Sequence, residues 1–130
     1  MVKAKLASSK RESRVLVLDD EPGDCRYIAD LIEGLGFDVQ TATDAALVYL
    51  DELKDSDIIF IDIAMPGMDG IQVLEVLSRR NSRCRIVLMC DTNDEPAEAV
   101  AMAKERGLQL TGILYKPFRL EHVKEVMDVV

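Results

Sequence analysis

The sequence predicts a doubly wound α/β domain, built on a five-stranded parallel sheet of order 2-1-3-4-5 with helices on both faces. Five short segments of large apolar residues alternate with segments whose apolar residues recur at helical spacing. The segments Val15–Leu18 and Ile58–Ile61 are apolar throughout, as strands buried on both faces are. Alternating strands and helices favour a parallel sheet with right-handed crossovers, and 2-1-3-4-5 is a usual order for five strands.

The first half of the chain is predicted to run strand, helix, strand, helix. The first strand is Val15–Leu18, and Pro22 suits the first turn of the helix that follows. The second strand, Phe37–Gln40, alternates apolar and polar residues, as an edge strand does. Thr43 can cap a second helix, whose inner face carries four apolar residues: Ala46, Leu47, Leu50 and Leu53.

The third strand, Ile58–Ile61, ends at Asp62 and is the segment around which the sheet is built. A loop containing proline and two glycines follows it as far as Gly70. A third helix then ends near Asn81, and the fourth strand is Arg85–Cys90. Asp62 therefore lies at the carboxyl edge of a parallel sheet, where open α/β sheets bind ligands.

The last third of the chain supplies one more strand between two helices. A fourth helix starts at Asp94, with acidic residues in its first turn and basic residues in its last, as the helix dipole favours. Gly107 ends that helix, and the fifth strand is Leu110–Tyr115. The final helix carries its apolar residues at helical spacing: Leu120, Val123, Met127 and Val130.

Length and composition indicate one domain with its own core. We expect a flexible basic arm over residues 1–13 and a single domain over residues 14–130. The net charge of −8 argues against direct binding of nucleic acid or an anionic membrane, since both need clustered Lys and Arg. Cys25, Cys84 and Cys90 form no C-x-x-C pair, which favours a reducing cytoplasm. No apolar run approaches the ~20 residues that span a bilayer.

Three acidic residues are predicted to share one pocket. Strands one and three are neighbours in the predicted order, so Asp19, Asp20 and Asp62 follow adjacent strand ends. Carboxylates about 4 Å apart repel by roughly 4 kcal/mol at an effective dielectric near 20, so a cation is expected among them. Oxygen ligands suit Mg²⁺ or Mn²⁺, and Lys116 follows the fifth strand at the same edge. Asp62 is thus placed to attack phosphorus.

The motifs at these strand ends resemble those of a two-component response-regulator receiver domain, and the likeness extends from Arg14 to Val130. The matching residues are Asp19-Asp20, Asp62 with Met65-Pro66 and Gly70, and Lys116-Pro117-Phe118. The resemblance implies a flavodoxin-like receiver fold and a cis peptide bond between Lys116 and Pro117. It also implies phosphorelay signalling, in which the domain catalyses its own phosphorylation and dephosphorylation but is primarily a switch.

The resemblance assigns a role to each residue of the pocket. Asp62 is implied to be the phosphoacceptor, and Lys116 is implied to pair with the phosphate. Mg²⁺ is implied to be bound directly by Asp20, Asp62 and the backbone carbonyl of Ala64. Asp19 is implied to act on the ion through water.

Two positions depart from the family pattern. Cys90 stands where the family usually has a Thr or Ser that hydrogen-bonds the phosphoryl group, and a thiol is a weaker donor. Thr92 is an alternative donor. Ile113 stands where the family often has an aromatic residue that changes rotamer on phosphorylation. The stretch 107–116 is longer than is usual and is similar to receivers attached to cyclic-di-GMP phosphodiesterase domains.

Three functional classes remain open from the sequence. A phosphorylatable receiver would take its phosphoryl group from a histidine kinase or a phosphotransfer protein. It would signal to an output domain or a target protein through the fourth helix, the fifth strand and the last helix; a homodimer is also open. A pseudo-receiver would keep the fold as an interaction module, with the switch uncoupled by Cys90 and Ile113. A haloacid-dehalogenase-like phosphatase would need an acid where this chain has Ala64.

Overall fold

The computed structural model describes residues 13–43, 50, 52–64 and 70–127. Its strands are β1 (Arg14–Leu18), β2 (Asp38–Ala42), β3 (Ile58–Asp62), β4 (Arg85–Cys90) and β5 (Gln109–Tyr115). The helices within the described ranges are α1 (Pro22–Gly34), α2 (Gly70–Arg79), α3 (Ala97–Glu105) and α4 (Leu120–Met127). All strand pairs are parallel and the order is β2-β1-β3-β4-β5, so the predicted sheet is confirmed.

Helices cover both faces of the sheet, which is why the central strands are apolar except at one end of each: Arg14 begins β1, Asp62 ends β3 and Arg85 begins β4. Along β3, Ile59 and Ile61 belong to one apolar cluster, which includes residues of α2 and α3. Ile58 and Phe60 belong to a second cluster, which includes residues of α1 and α4. Alternate side chains of a strand point to opposite faces, so each must be apolar when both faces are buried.

Four predicted segments lie wholly or mainly outside the described residues. They are the basic arm (residues 1–12), most of the second helix (44–49 and 51), the loop after Asp62 (65–69) and the end of the last helix (128–130). Leu50, from the predicted second helix, is helical and buried. No helix within the described ranges has the length and apolar character needed to cross a membrane.

The end of β2 and the start of α3 are among the element boundaries that differ from the sequence prediction. Strand β2 runs to Ala42 rather than Gln40, because its pairing with β1 continues to the partners Leu18 and Ala42. Three of its five residues are exposed, so its side-chain pattern does not define where the pairing ends. Helix α3 begins at Ala97, with Pro96 at its N-cap, rather than at Asp94.

A β-bulge at Thr111 adds one unpaired residue to β5, within the segment 107–116 that was noted as long. Ile86 of β4 pairs with Leu110, but the next residue, Val87, pairs with Gly112, so Thr111 is left out of the register. The Thr111 hydroxyl donates a hydrogen bond to the Ile86 carbonyl at 3.2 Å. The bulge therefore accommodates extra length within β5 while the strand stays paired with β4 through Tyr115.

Candidate functional site

The carboxyl ends of β1, β3 and β5 bring three predicted site residues into direct contact. Asp19 follows β1, Asp62 is the last residue of β3, and Lys116 follows β5. The Lys116 Nζ atom lies 2.6 Å from Asp19 Oδ2 and 3.0 Å from Asp62 Oδ2. The Lys116 backbone N–H also donates to the Cys90 carbonyl at 2.8 Å. The Lys116 ammonium thus lies within hydrogen-bonding distance of both the Asp19 and the Asp62 carboxylates.

A fourth acidic residue, Asp24, joins this site and was missed in the sequence analysis. Its Oδ2 atom lies 3.0 Å from Lys116 Nζ. Asp24 is in the first turn of α1, whereas Asp20 precedes that helix, so no helical spacing along the chain linked Asp24 to the site. A lysine ammonium has three protons, so Asp19, Asp24 and Asp62 together account for all of them.

Asp62 is held by one hydrogen bond at each carboxylate oxygen. Its Oδ1 atom accepts from the backbone N–H of Ala64 at 2.9 Å, and Oδ2 accepts from Lys116. The residue is 6% exposed. The carboxylate therefore has a set orientation at the sheet edge, although Ala64 is exposed.

Burial and hydrogen bonding act in opposite directions on the pKa values of Asp19 and Lys116. Asp19 has no exposed surface, and this burial raises its pKa to about 6 although hydrogen bonds from Lys116 and the Glu21 backbone oppose the rise. For Lys116 burial favours the neutral amine, but the hydrogen bonds to the three aspartates prevail and raise its pKa. The ammonium therefore stays charged at neutral pH.

The carboxylates of Asp19, Asp20 and Asp62 fit a divalent cation. One oxygen from each lies within 4.8 Å of the others. Oxygens on opposite sides of a bound Mg²⁺ are about 4.2 Å apart, so a small movement of side chains would suffice. A purely carboxylate donor set suits Mg²⁺ or Mn²⁺ better than zinc. Two of the three residues are buried and one is half-buried, so water screens their repulsion poorly.

Cys90 is the fully buried last residue of β4. Burial raises the pKa of its thiol, and the negative charges of Asp94, Asp91 and Asp62 add to the rise. The side chain is therefore a protonated thiol at neutral pH. Thr92, the alternative donor, is exposed in the turn after β4, and the half-buried Ile113 packs against the core cluster on the side of α2 and α3.

A half-open cavity of about 280 Å³ adjoins the site. Its lining residues are Asp24, Tyr27, Ile28, Asp91, Lys116, Pro117 and Phe118. The Tyr27 hydroxyl donates to the Phe118 carbonyl at 2.7 Å, and the two rings lie 6.1 Å apart between centroids. The peptide bond between Lys116 and Pro117 is cis, as the resemblance implied. Asp24 and Lys116 thus border both this cavity and the acidic cluster.

Comparisons of this chain with known proteins agree with one another on a single family. Residues 15–128 match the family model described as a response regulator receiver domain. The chain is 31% identical over 129 residues to the sensor histidine kinase RcsC of Salmonella typhi. This alignment covers 96% of this chain but only 13% of that protein. It is 28% identical over 120 residues to chemotaxis protein CheY-3 of Vibrio cholerae, covering 91% of each.

A solved structure shares the same architecture. The crystal structure of a response regulator from Colwellia psychrerythraea superposes with a TM-score of 0.77 at 26% identity. The match covers 89% of this chain and 94% of that one. Some relatives are therefore matched over nearly their whole length, whereas RcsC is matched over a small part of its own.

Proposed function

This chain belongs to the response regulator receiver domain family of two-component signalling, and we propose that Asp62 is its phosphoacceptor. The donor would be the phosphohistidine of a histidine kinase or a phosphotransfer protein, or a small acyl phosphate. The observation that supports this most directly is the 3.0 Å contact between Lys116 Nζ and Asp62 Oδ2 within a cluster of acids. An aspartate paired with an ammonium beside a cation site has what phosphoryl transfer requires.

The reaction forms one bond and breaks one. A carboxylate oxygen of Asp62 bonds to phosphorus while the bond from phosphorus to the donor nitrogen or oxygen breaks, and the donor leaves with the electron pair. Because the Ala64 N–H and the Lys116 ammonium each hold one oxygen, the carboxylate is oriented before the donor arrives. The ammonium then offsets the negative charge on the phosphoryl oxygens.

The residues that would hold Mg²⁺ or Mn²⁺ are Asp20 and Asp62 directly, with the backbone carbonyl of Ala64, and Asp19 through water. The carboxylate donor set and the 4.8 Å spacing of its oxygens support this assignment. When bound, the ion supplies positive charge that neutralises the phosphoryl group. Lys116 alone leaves the site acidic, because it faces three aspartates with a single positive charge.

Labelling with a phosphodonor tests the proposal. We expect acetyl phosphate with Mg²⁺ to add one phosphoryl group, measured by intact mass, and Asp62→Asn or a metal chelator to abolish the addition. Asp38→Asn is a matched control, because Asp38 is exposed on the edge strand β2. Full labelling of the Asp62→Asn protein would refute the assignment.

The pseudo-receiver is the second candidate, and the buried thiol of Cys90 favours it. A thiol with a raised pKa is a weak donor to a phosphoryl oxygen. Ile113 is packed against the core, where the family often has an aromatic residue. The two candidates differ in their response to beryllofluoride, a phosphoryl mimic. A switching receiver shows amide chemical-shift changes through α3 and β5, whereas an uncoupled one confines them to the site.

We further propose that the receiver domain spans residues 14–130 and that residues 1–13 form a basic arm. The protein would act in the cytoplasm. Its output would be a target protein or an attached domain, contacted through α3, β5 and α4. The extra length of β5, absorbed at Thr111, supports a comparison with receivers attached to cyclic-di-GMP phosphodiesterase domains. A homodimer is the other outcome, and the molar mass measured in solution with and without beryllofluoride tests it.

A further inference from the structure

The three carboxylates on Lys116 differ in how much water they can reach. Asp19 has no side-chain exposure and Asp62 has 8%, whereas the Asp24 side chain is 47% exposed. The distances from Nζ are similar, at 2.6, 3.0 and 3.0 Å. Asp24 is therefore the partner that solvent can replace most easily.

We propose that Asp24 is a positioning residue that competes with the incoming phosphoryl group for the Lys116 ammonium, and so limits how readily Asp62 is phosphorylated. This inference rests on the proposed role of Asp62 as phosphoacceptor. It assigns to Asp24 a function of its own, separate from the acids that would hold the metal ion. Asp24 acts through Lys116 and does not itself react.

The number of available protons is the first step of the argument. All three ammonium protons of Lys116 already have carboxylate acceptors. A phosphoryl oxygen that pairs with Lys116 must therefore share or displace one of them. The site has no spare donor on this side chain.

The cost of releasing each carboxylate is the second step. Asp19 is fully buried, and its other oxygen, Oδ1, already accepts from the Glu21 backbone at 3.0 Å. Releasing it would leave a buried carboxylate without its counter-ion, which is costly. Asp62 is the reacting group itself. Asp24 can exchange the ammonium for water at little cost, because half-exposed ion pairs are weak.

The space around Asp24 is the third step. Asp24 and Lys116 both line the cavity of about 280 Å³, so a released Asp24 side chain has an open volume beside it. While Asp24 remains on Lys116, its negative charge repels the phosphoryl oxygens that approach the same ammonium. Both effects make Asp24 an obstacle to phosphorylation.

Removal of the Asp24 charge tests the proposal. We expect Asp24→Asn to lower the concentration of acetyl phosphate that half-saturates the labelling rate, by about threefold to fivefold at low ionic strength, as suits a half-exposed ion pair. The maximal rate should change less. Added salt should shrink the difference, because it screens exposed charges.

Two further variants separate competition from other causes. Asp24→Glu keeps the charge and should return the half-saturating concentration towards the wild-type value. Asp30→Asn removes an exposed charge from the same helix without contact to Lys116 and should behave as wild type. Amide spectra of each variant verify that the fold is kept. Because the Asp24 side chain is half-exposed, both of its variants should keep the fold.

The outcomes distinguish this inference from the function on which it rests. If wild-type protein takes no phosphoryl group, both fail. If wild type is labelled on Asp62 but Asp24→Asn matches Asp30→Asn at low salt, only the role of Asp24 is refuted. A slower Asp24→Asn protein would also refute it, because Asp24 would then be holding Lys116 in its productive position. Tighter binding of beryllofluoride by Asp24→Asn, followed by amide shifts, is the independent measurement expected to agree.

Discussion

Strand β3 has a buried aspartate near each of its ends, and the two differ in how their charges are balanced. Asp57, just before the strand, is fully buried and accepts hydrogen bonds from the Arg14 and Lys54 backbone N–H groups and from the Arg14 side chain. One guanidinium there faces one carboxylate. At the other end, Asp62 shares a single ammonium with Asp19 and Asp24.

The difference separates a residue that joins elements of the fold from the residue that we propose to be the phosphoacceptor. Asp57 ties the start of β1 to the start of β3, and its own backbone carbonyl accepts from the Arg85 N–H at the start of β4. Its hydrogen bonds go to groups that the fold holds in place, so it has no need of a further cation. The Asp62 end has excess negative charge, which is the electrostatic basis for the metal site proposed there.

The largest expected effect comes from removing Asp57, whose charge is balanced by Arg14. Asp57→Ala should lower the free energy of unfolding by about 3 kcal/mol, because it leaves the Arg14 guanidinium and the backbone N–H groups of Arg14 and Lys54 without their acceptor. Asp62→Ala, the matched variant at the other end, should change stability by less than about 1 kcal/mol, because it also relieves repulsion. Urea denaturation measures both. Equal losses in the two variants would contradict the comparison.

A smaller effect concerns the pH dependence of stability in metal-free buffer. The pKa of Asp19 is raised to about 6 in the folded state. The folded protein therefore binds a proton more tightly than the unfolded chain between about pH 4 and 6, and stability falls as the pH rises through that range. The loss should approach but not exceed about 3 kcal/mol, because a pKa difference of one between the folded and unfolded states corresponds to about 1.4 kcal/mol. In Asp19→Asn this contribution to the slope should vanish; an unchanged slope in urea titrations would show that burial of Asp19 is not its origin.

The smallest of these effects is stabilisation by metal. At ten times its dissociation constant, Mg²⁺ should raise the free energy of unfolding by about 1.4 kcal/mol. Asp20→Asn should remove most of this gain, since Asp20 belongs to the acidic cluster. Asp38→Asn should retain it. Thermal unfolding with and without chelator measures the effect, and a gain that persists in Asp20→Asn would place the ion elsewhere.

The sequence was sufficient for most of the architecture because its signals are local. Wholly apolar segments predict strands covered on both faces, and their alternation with helices predicts the parallel sheet that the structure confirms. The end of the edge strand was not predicted correctly, because β2 extends to Ala42 rather than Gln40. Asp19, Asp62 and Lys116 were predicted to meet because the carboxyl ends of parallel strands share one edge.

What the sequence alone determined is therefore which residues lie at that edge of the sheet. Which of them pair was decided only by the tertiary structure. Lys116 is separated along the chain from Asp19 by 97 positions and from Asp24 by 92, and no local pattern encodes contacts over such distances. The same holds for the Thr111 bulge and for the pairing of Asp57 with Arg14. Periodicity encodes which face of an element is buried, whereas the partners of each charge depend on how packed elements place side chains in three dimensions.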